Sequence, residues 1–144
     1  MHSPILDRTN QILTETQNQL NRRTDSMFGV LFVIQLMGCI ITALVFTPRT
    51  WAGDQSSVHI HVWAGLGLGT LLCAMPIYLV LFHRGQTFTR YGIVVAQMLY
   101  SSLLIHLSGG RIETHFHLFG SLAFIAFYRD WRLFIPATLI ITVD

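Results

Sequence analysis

Six side chains with metal-ligand chemistry stand at the edges of apolar segments: His59 and His61, His106, and Glu113, His115 and His117. The last three follow the two-glycine turn Gly109-Gly110 and open the apolar run Leu118 to Phe127. Ionisable groups at a membrane boundary are costly, so such a cluster is read first as a functional site. Imidazoles and a carboxylate converging at one depth suit a transition metal (copper, zinc or iron) or an axially ligated haem b. A proton-sensing histidine cluster would use the same side chains, and so would a purely structural set of interfacial histidines.

Helical spacing chooses among them. Residues two apart on a helix differ by about 200°, so His59 and His61 cannot share a face, nor can His115 and His117. His61, Gly65 and Gly69 form one stripe, and small residues permit close helix packing in membranes. Glu113, His117, Gly120 and Ser121 share a second face, while Met98, Ser102 and His106 line up on a third, with Gln97 and Ser101 beside them. The expected inward set is therefore His61, His106, Glu113 and His117, with the three histidines holding any cofactor. His59 and His115 are the second choices as metal ligands. His61 and His117 lie near helix N-termini, whose positive end disfavours imidazolium and keeps a nitrogen lone pair available. His2 and His83 receive no role.

Composition sets the environment of these groups. The chain has 144 residues, 52% of them hydrophobic and 11% charged, with a mean hydropathy of +0.54. An average soluble domain is roughly 25% charged, so this is read as an integral membrane protein. All nine basic residues are Arg and the net charge is +2. They are not clustered on a soluble face, which argues against nucleic acid as a partner. Cys39 and Cys73 each lie inside an apolar segment, which argues against a disulfide framework. No short apolar core precedes a cleavage site, so no secretory signal is expected.

The elements that must position the histidines follow from the apolar periodicity. The spacing predicts an all-α polytopic transmembrane bundle of at least five spans, at about 27–47, 58–82, 91–107, 113–128 and 133–144. The last is shorter than the roughly 20 residues needed to cross a bilayer, so the chain is expected to continue. Residues 1–26 are polar, with Leu6, Leu13 and Leu20 seven apart; a short amphipathic helix on the membrane surface is expected, with a dimerising coiled coil as the thinner alternative. Pro76 is expected to bend the second span.

Arginine placement sets the orientation. Arg8, Arg22, Arg23, Arg84, Arg90, Arg129 and Arg132 fall on one side, Arg49 and Arg111 on the other. This puts the N-terminus in the cytoplasm and the histidines named above at the outer face. Gly65 to Gly69 lies inside an apolar span with no preceding strand, so it is a packing element and not a nucleotide loop. Gln35, Gln97 and Tyr100 could line a cavity, though interhelical hydrogen bonding is the commoner use. No nucleophile–base pair, phosphate loop or zinc-protease motif is present.

Several blocks carry a resemblance: Arg23-Thr24-Asp25-Ser26-Met27-Phe28, Pro48-Arg49-Thr50-Trp51-Ala52-Gly53, His59-Ile60-His61-Val62-Trp63, and Gly109 to His117 followed by Phe119 to Phe124 and Phe127 to Arg132. Together they resemble the N-terminal multi-pass membrane region of bacterial sensor histidine kinases, often hybrid kinases. The resemblance implies a signal-input module in the bacterial inner membrane, surrounded by lipid and working as a homodimer. It also implies cytoplasmic kinase and receiver modules in a longer parent protein, where any kinase activity would reside. The rival expectation is a b-type haem or quinone-linked electron-transfer protein built on the same histidines. A metal-ion transporter is weaker, because the polar groups collect at one end.

Overall fold

The computed structural model describes residues 4–45, 49–52, 55–58, 60–108 and 112–143, with the backbone alone described for 42–45, 49–52, 55–58 and 60–65. Five α-helices account for most of it: α1 (Pro4–Val45), α2 (Ile60–Phe82), α3 (Thr87–Leu107), α4 (Ile112–Ile125) and α5 (Phe134–Val143). A short antiparallel hairpin, β1 (Arg49–Ala52) and β2 (Gln55–Val58), pairs Arg49 with Val58 and Ala52 with Gln55. This hairpin lies in the polar stretch between the first two apolar segments. The expected Gly109-Gly110 turn lies outside the described residues.

The largest departure from expectation is α1. It is one uninterrupted helix of 42 residues, roughly 63 Å long at 1.5 Å per residue. Residues 4–16 are exposed, while Phe28, Phe32, Gln35 and Cys39 are buried against the bundle. Nothing between Leu20 and Ser26 breaks a helix, since that stretch holds neither Gly nor Pro. A separate helix lying across the membrane surface is therefore not what forms; the polar half continues the axis of the apolar half.

α3 is the central helix, packed against α2, α4 and α5, with α1 lying along α2. Its buried residues run from Thr89 to Ser101. Close approach relies on small residues: a Cβ on Gly69 would sit 3.0 Å from the Cys39 sulfur, and one on Gly29 would sit 3.0 Å from Val80. α2 runs through Pro76 without interruption of its helix. Stretches of α1 and α3 are long and apolar enough to cross a membrane, and shorter apolar helices span Leu66–Phe82 and Trp131–Val143. Large apolar side chains are exposed along α1, α2 and α4, among them Val30, Ile34, Leu71, Leu81, Phe116 and Phe119. So extensive an exposed apolar surface fits contact with lipid.

The turn between α2 and α3 uses Gly85 at φ 87°, a left-handed conformation that side chains resist. Arg22 of α1 packs over it, and a Cβ there would meet the Arg22 Cγ at 3.0 Å. Gly85→Ala is expected to cost about 1–2 kcal/mol, read as earlier unfolding by SDS in lipid bicelles. A change within about 0.5 kcal/mol, the range of ordinary surface substitutions, would show that the turn adapts freely.

Candidate functional site

Polar residues inside an apolar bundle need partners, and here they form two clusters about 15 Å apart along α1. The first joins α1, α3 and α4 around His117. Gln35 is 8% exposed, Gln97 1%, Ser101 0% and Ser121 2%, so water does not satisfy these groups. Gln35 Nε2 lies 3.0 Å from His117 Nε2, and Ser101 Oγ lies 2.9 Å from His117 Nδ1. Ser101 donates its own proton to the Gln97 carbonyl at 2.9 Å. Gln97 Nε2 donates to Ser121 Oγ at 2.8 Å, and Ser121 donates to the His117 carbonyl at 2.7 Å. Tyr100 donates to the Gln35 carbonyl at 2.9 Å, and its ring centroid lies 5.7 Å from that of His117.

The orientation of the Gln35 amide, NH2 toward the ring, sets the His117 tautomer. An amide NH2 can only donate, so Nε2 must accept from Gln35. The ring proton is therefore on Nδ1, donating to a Ser101 oxygen whose hydrogen is already committed. Both ring nitrogens are engaged. Two acceptors in the cluster, Gln35 Oε1 and Gln97 Oε1, have no hydrogen-bond partner among the described residues.

The second cluster lies at the Gly85 end and centres on Asp25, which is fully buried. One carboxylate oxygen accepts from the Tyr128 hydroxyl at 2.6 Å and the other from the Gly85 N–H at 2.6 Å. The Tyr128 ring stacks on Phe28, with centroids 5.7 Å apart. Gln17 donates to the Tyr128 carbonyl at 3.1 Å, and Arg90 pairs with Asp130 at 3.6 Å. Arg129 closes the following turn at φ 54°, and Asp130 accepts from the Arg132 N–H. The cluster thus clamps α1 to both turns at this end of the bundle. Burial pushes the Asp25 carboxyl above the usual carboxylate range, while the Tyr128 hydroxyl, the Gly85 N–H, Arg90 and Arg84 pull it back.

The sequence-expected ligands are placed as follows. His117 turns into the bundle, and Ser121 lies on the same face, as their spacing requires. Glu113 and His115 are exposed at the start of α4. His106 is exposed in the last turn of α3, its Nδ1 3.3 Å from the Ser102 carbonyl. It lines an open, mostly apolar groove of about 360 Å³ between α2 and α3 with Leu68, Leu72, Leu99, Ser102 and Leu103. His59 lies outside the described residues, and His61 is placed on the first turn of α2 by its backbone alone. Of the expected stripe Met98–Ser102–His106, Met98 is buried and His106 is exposed, while Gln97 and Ser101 beside it make the hydrogen bonds to α4. Among the described residues, no three His, Cys, Asp or Glu side chains stand close enough to hold a metal ion.

Asp25 and Tyr128 received no role from the sequence, although both lie in blocks that carried the resemblance. Those blocks, Arg23 to Phe28 and Phe127 to Arg132, meet at this clamp. The available signal was an acidic residue three positions before a buried aromatic, where an apolar helix face begins.

No protein-family profile matches this chain, and no solved structure matches it. It is similar to Transducer protein Htr8 of Halobacterium salinarum, with 37% identity over 75 residues, which is 52% of this chain. The matched stretch is 11% of that protein's length.

Proposed function

We propose that this chain is the membrane-embedded signal-input module of a bacterial sensor protein, multi-pass in the inner membrane with its N-terminus in the cytoplasm. The output would go to histidine-kinase and receiver modules of a longer parent protein, which would work as a homodimer. The observation that carries this reading is the continuity of α1. One rigid helix holds Gln35 against His117, holds Asp25 against Tyr128 and Gly85, and then extends as an exposed polar rod. A change at the first cluster can therefore reach the exposed half as a tilt or rotation of a single body, which is one way a two-state element couples distant sites. The likeness to a transducer protein supports the same class. A haem or metal reading would require His117 to give up its hydrogen bond to Gln35 or to Ser101.

Two measurements test the proposal. Reporter fusions at Gln55 and Gly110 should read as periplasmic and one at Gln86 as cytoplasmic; Gln86 outside would overturn the orientation. In the full-length protein, His117→Leu and Asp25→Asn should each change autophosphorylation of the cytoplasmic modules several-fold while the protein stays in the membrane. Unchanged phosphorylation in both variants would remove the input role.

A further inference from the structure

Of the polar groups in the bundle, the Gln35 amide is the one whose idle atom complements its neighbour. Its NH2 group donates to His117 Nε2, while its Oε1 is without a partner on a side chain more than nine-tenths buried. Each unmet buried polar atom costs about 1–3 kcal/mol, and of the two idle amide oxygens in the cluster, Gln35 Oε1 and Gln97 Oε1, it is the Gln35 one whose amide touches the imidazole. From this we infer that His117 is a proton-binding site, with Gln35 as a two-way partner that serves either charge state of the ring. This deepens the signal-input reading above and rests on it, since it names the proton as the input.

The chemistry is a single protonation. A proton from the outer side adds to the Nε2 lone pair, and imidazole becomes imidazolium with N–H donors at both nitrogens. The Nδ1–H bond to Ser101 and the Ser101 bond to the Gln97 carbonyl are untouched. At Nε2 two donors would now face each other, so the Gln35 amide turns by 180° about its terminal torsion. Oε1, idle until then, accepts the new N–H. No other bond in the cluster is broken, and the residue that moves belongs to α1.

The position suits a proton. His117 lies five residues, about 7.5 Å, into α4 and is half-buried. Both ring nitrogens face hydrogen-bond partners, Gln35 and Ser101. The titratable groups on the packed elements are Tyr100 on α3, Cys39 one turn from Gln35 on α1, Cys73 on α2, and Glu113 one turn before His117 on α4. Tyr100, Cys39 and Cys73 are buried and Glu113 is exposed, and the buried Asp25 carboxyl lies about 15 Å away along α1. The two idle amide oxygens supply the negative ends of dipoles instead.

The test is a ring-nitrogen NMR titration of the whole chain in nanodiscs between about pH 4.5 and 9, around the ordinary histidine range. His117 should pass from the Nδ1–H tautomer to the doubly protonated ring, and the Gln35 side-chain NH2 signals should move with the same midpoint. Gln35→Leu, which offers no acceptor, should require about tenfold more protons for half-protonation. Gln35→Glu keeps the shape and should require about tenfold fewer, so misfolding of the leucine variant leaves the question answerable. His83, at the other end of the bundle, should be indifferent to both. A His117 ring that stays neutral throughout in folded protein overturns the proposal, and so does a midpoint indifferent to Gln35→Glu. Because the titration reads the ring itself, its failure is distinct from failure of the input role, which the phosphorylation measurement decides.

Discussion

Asp25→Ala is expected to lose about 2–5 kcal/mol of stability, measured by SDS unfolding in bicelles. The substitution removes the acceptor for two donors at once, the fully buried Tyr128 hydroxyl and the partly buried Gly85 N–H. Each buried donor left unmet costs about 1–3 kcal/mol. Asp25→Asn keeps the shape and one acceptor oxygen, so its cost should be roughly half. A loss below about 0.5 kcal/mol for the alanine variant, within the range of ordinary surface changes, would show that the clamp is incidental. Acidity offers an independent check. Burial raises the folded-state value of Asp25 above its ordinary 3.8. The folded state then takes up this proton more readily than the unfolded chain. Asp25 therefore favours folding below 3.8, and that contribution is lost as pH rises through the raised folded value. Stability of the native chain should fall over this window relative to Asp25→Asn. A constant difference between the two would contradict the burial argument.

Val30→Pro is expected to uncouple the two clusters although Val30 touches neither. Val30 is 62% exposed on α1, between Asp25 and Gln35. Proline there removes the hydrogen bond to the Ser26 carbonyl and clashes with it, at a cost of about 3 kcal/mol or more. Membrane helices tolerate such breaks by kinking, so the chain should remain inserted. A kinked α1 cannot present Gln35 to His117 and Asp25 to Tyr128 as one straight body. Spin labels at Gln11 in the exposed half and Gln86 in the turn should report a broadened distance distribution. Val30→Ala should keep the narrow native distribution. If the proline variant also keeps it, α1 does not act as a rigid connector.

Composition and apolar periodicity determined the helical class. Long apolar runs leave little choice of element, and α2 (Ile60–Phe82) and α3 (Thr87–Leu107) form on two of them. The 3.6-residue period also placed His117 and Ser121 on one inward face. It could not decide between the two neighbouring polar stripes of α3. That helix packs against α2, α4 and α5, so much of its circumference is buried and its pattern has no single apolar side. Only the docking of α4 selected Gln97 and Ser101 as its hydrogen-bond partners over Ser102 and His106. Glu113 and His106 sit at helix ends, where a side chain on the inward stripe can still leave the bundle for water. The sharp fall in polarity after Ser26 suggested two separate segments, whereas backbone hydrogen bonding crosses that boundary without noticing it, and α1 is one helix. The clamp at Asp25 was invisible locally, since Tyr128 is 103 residues away along the chain and their contact exists only once α1 and the turn after α4 are packed together.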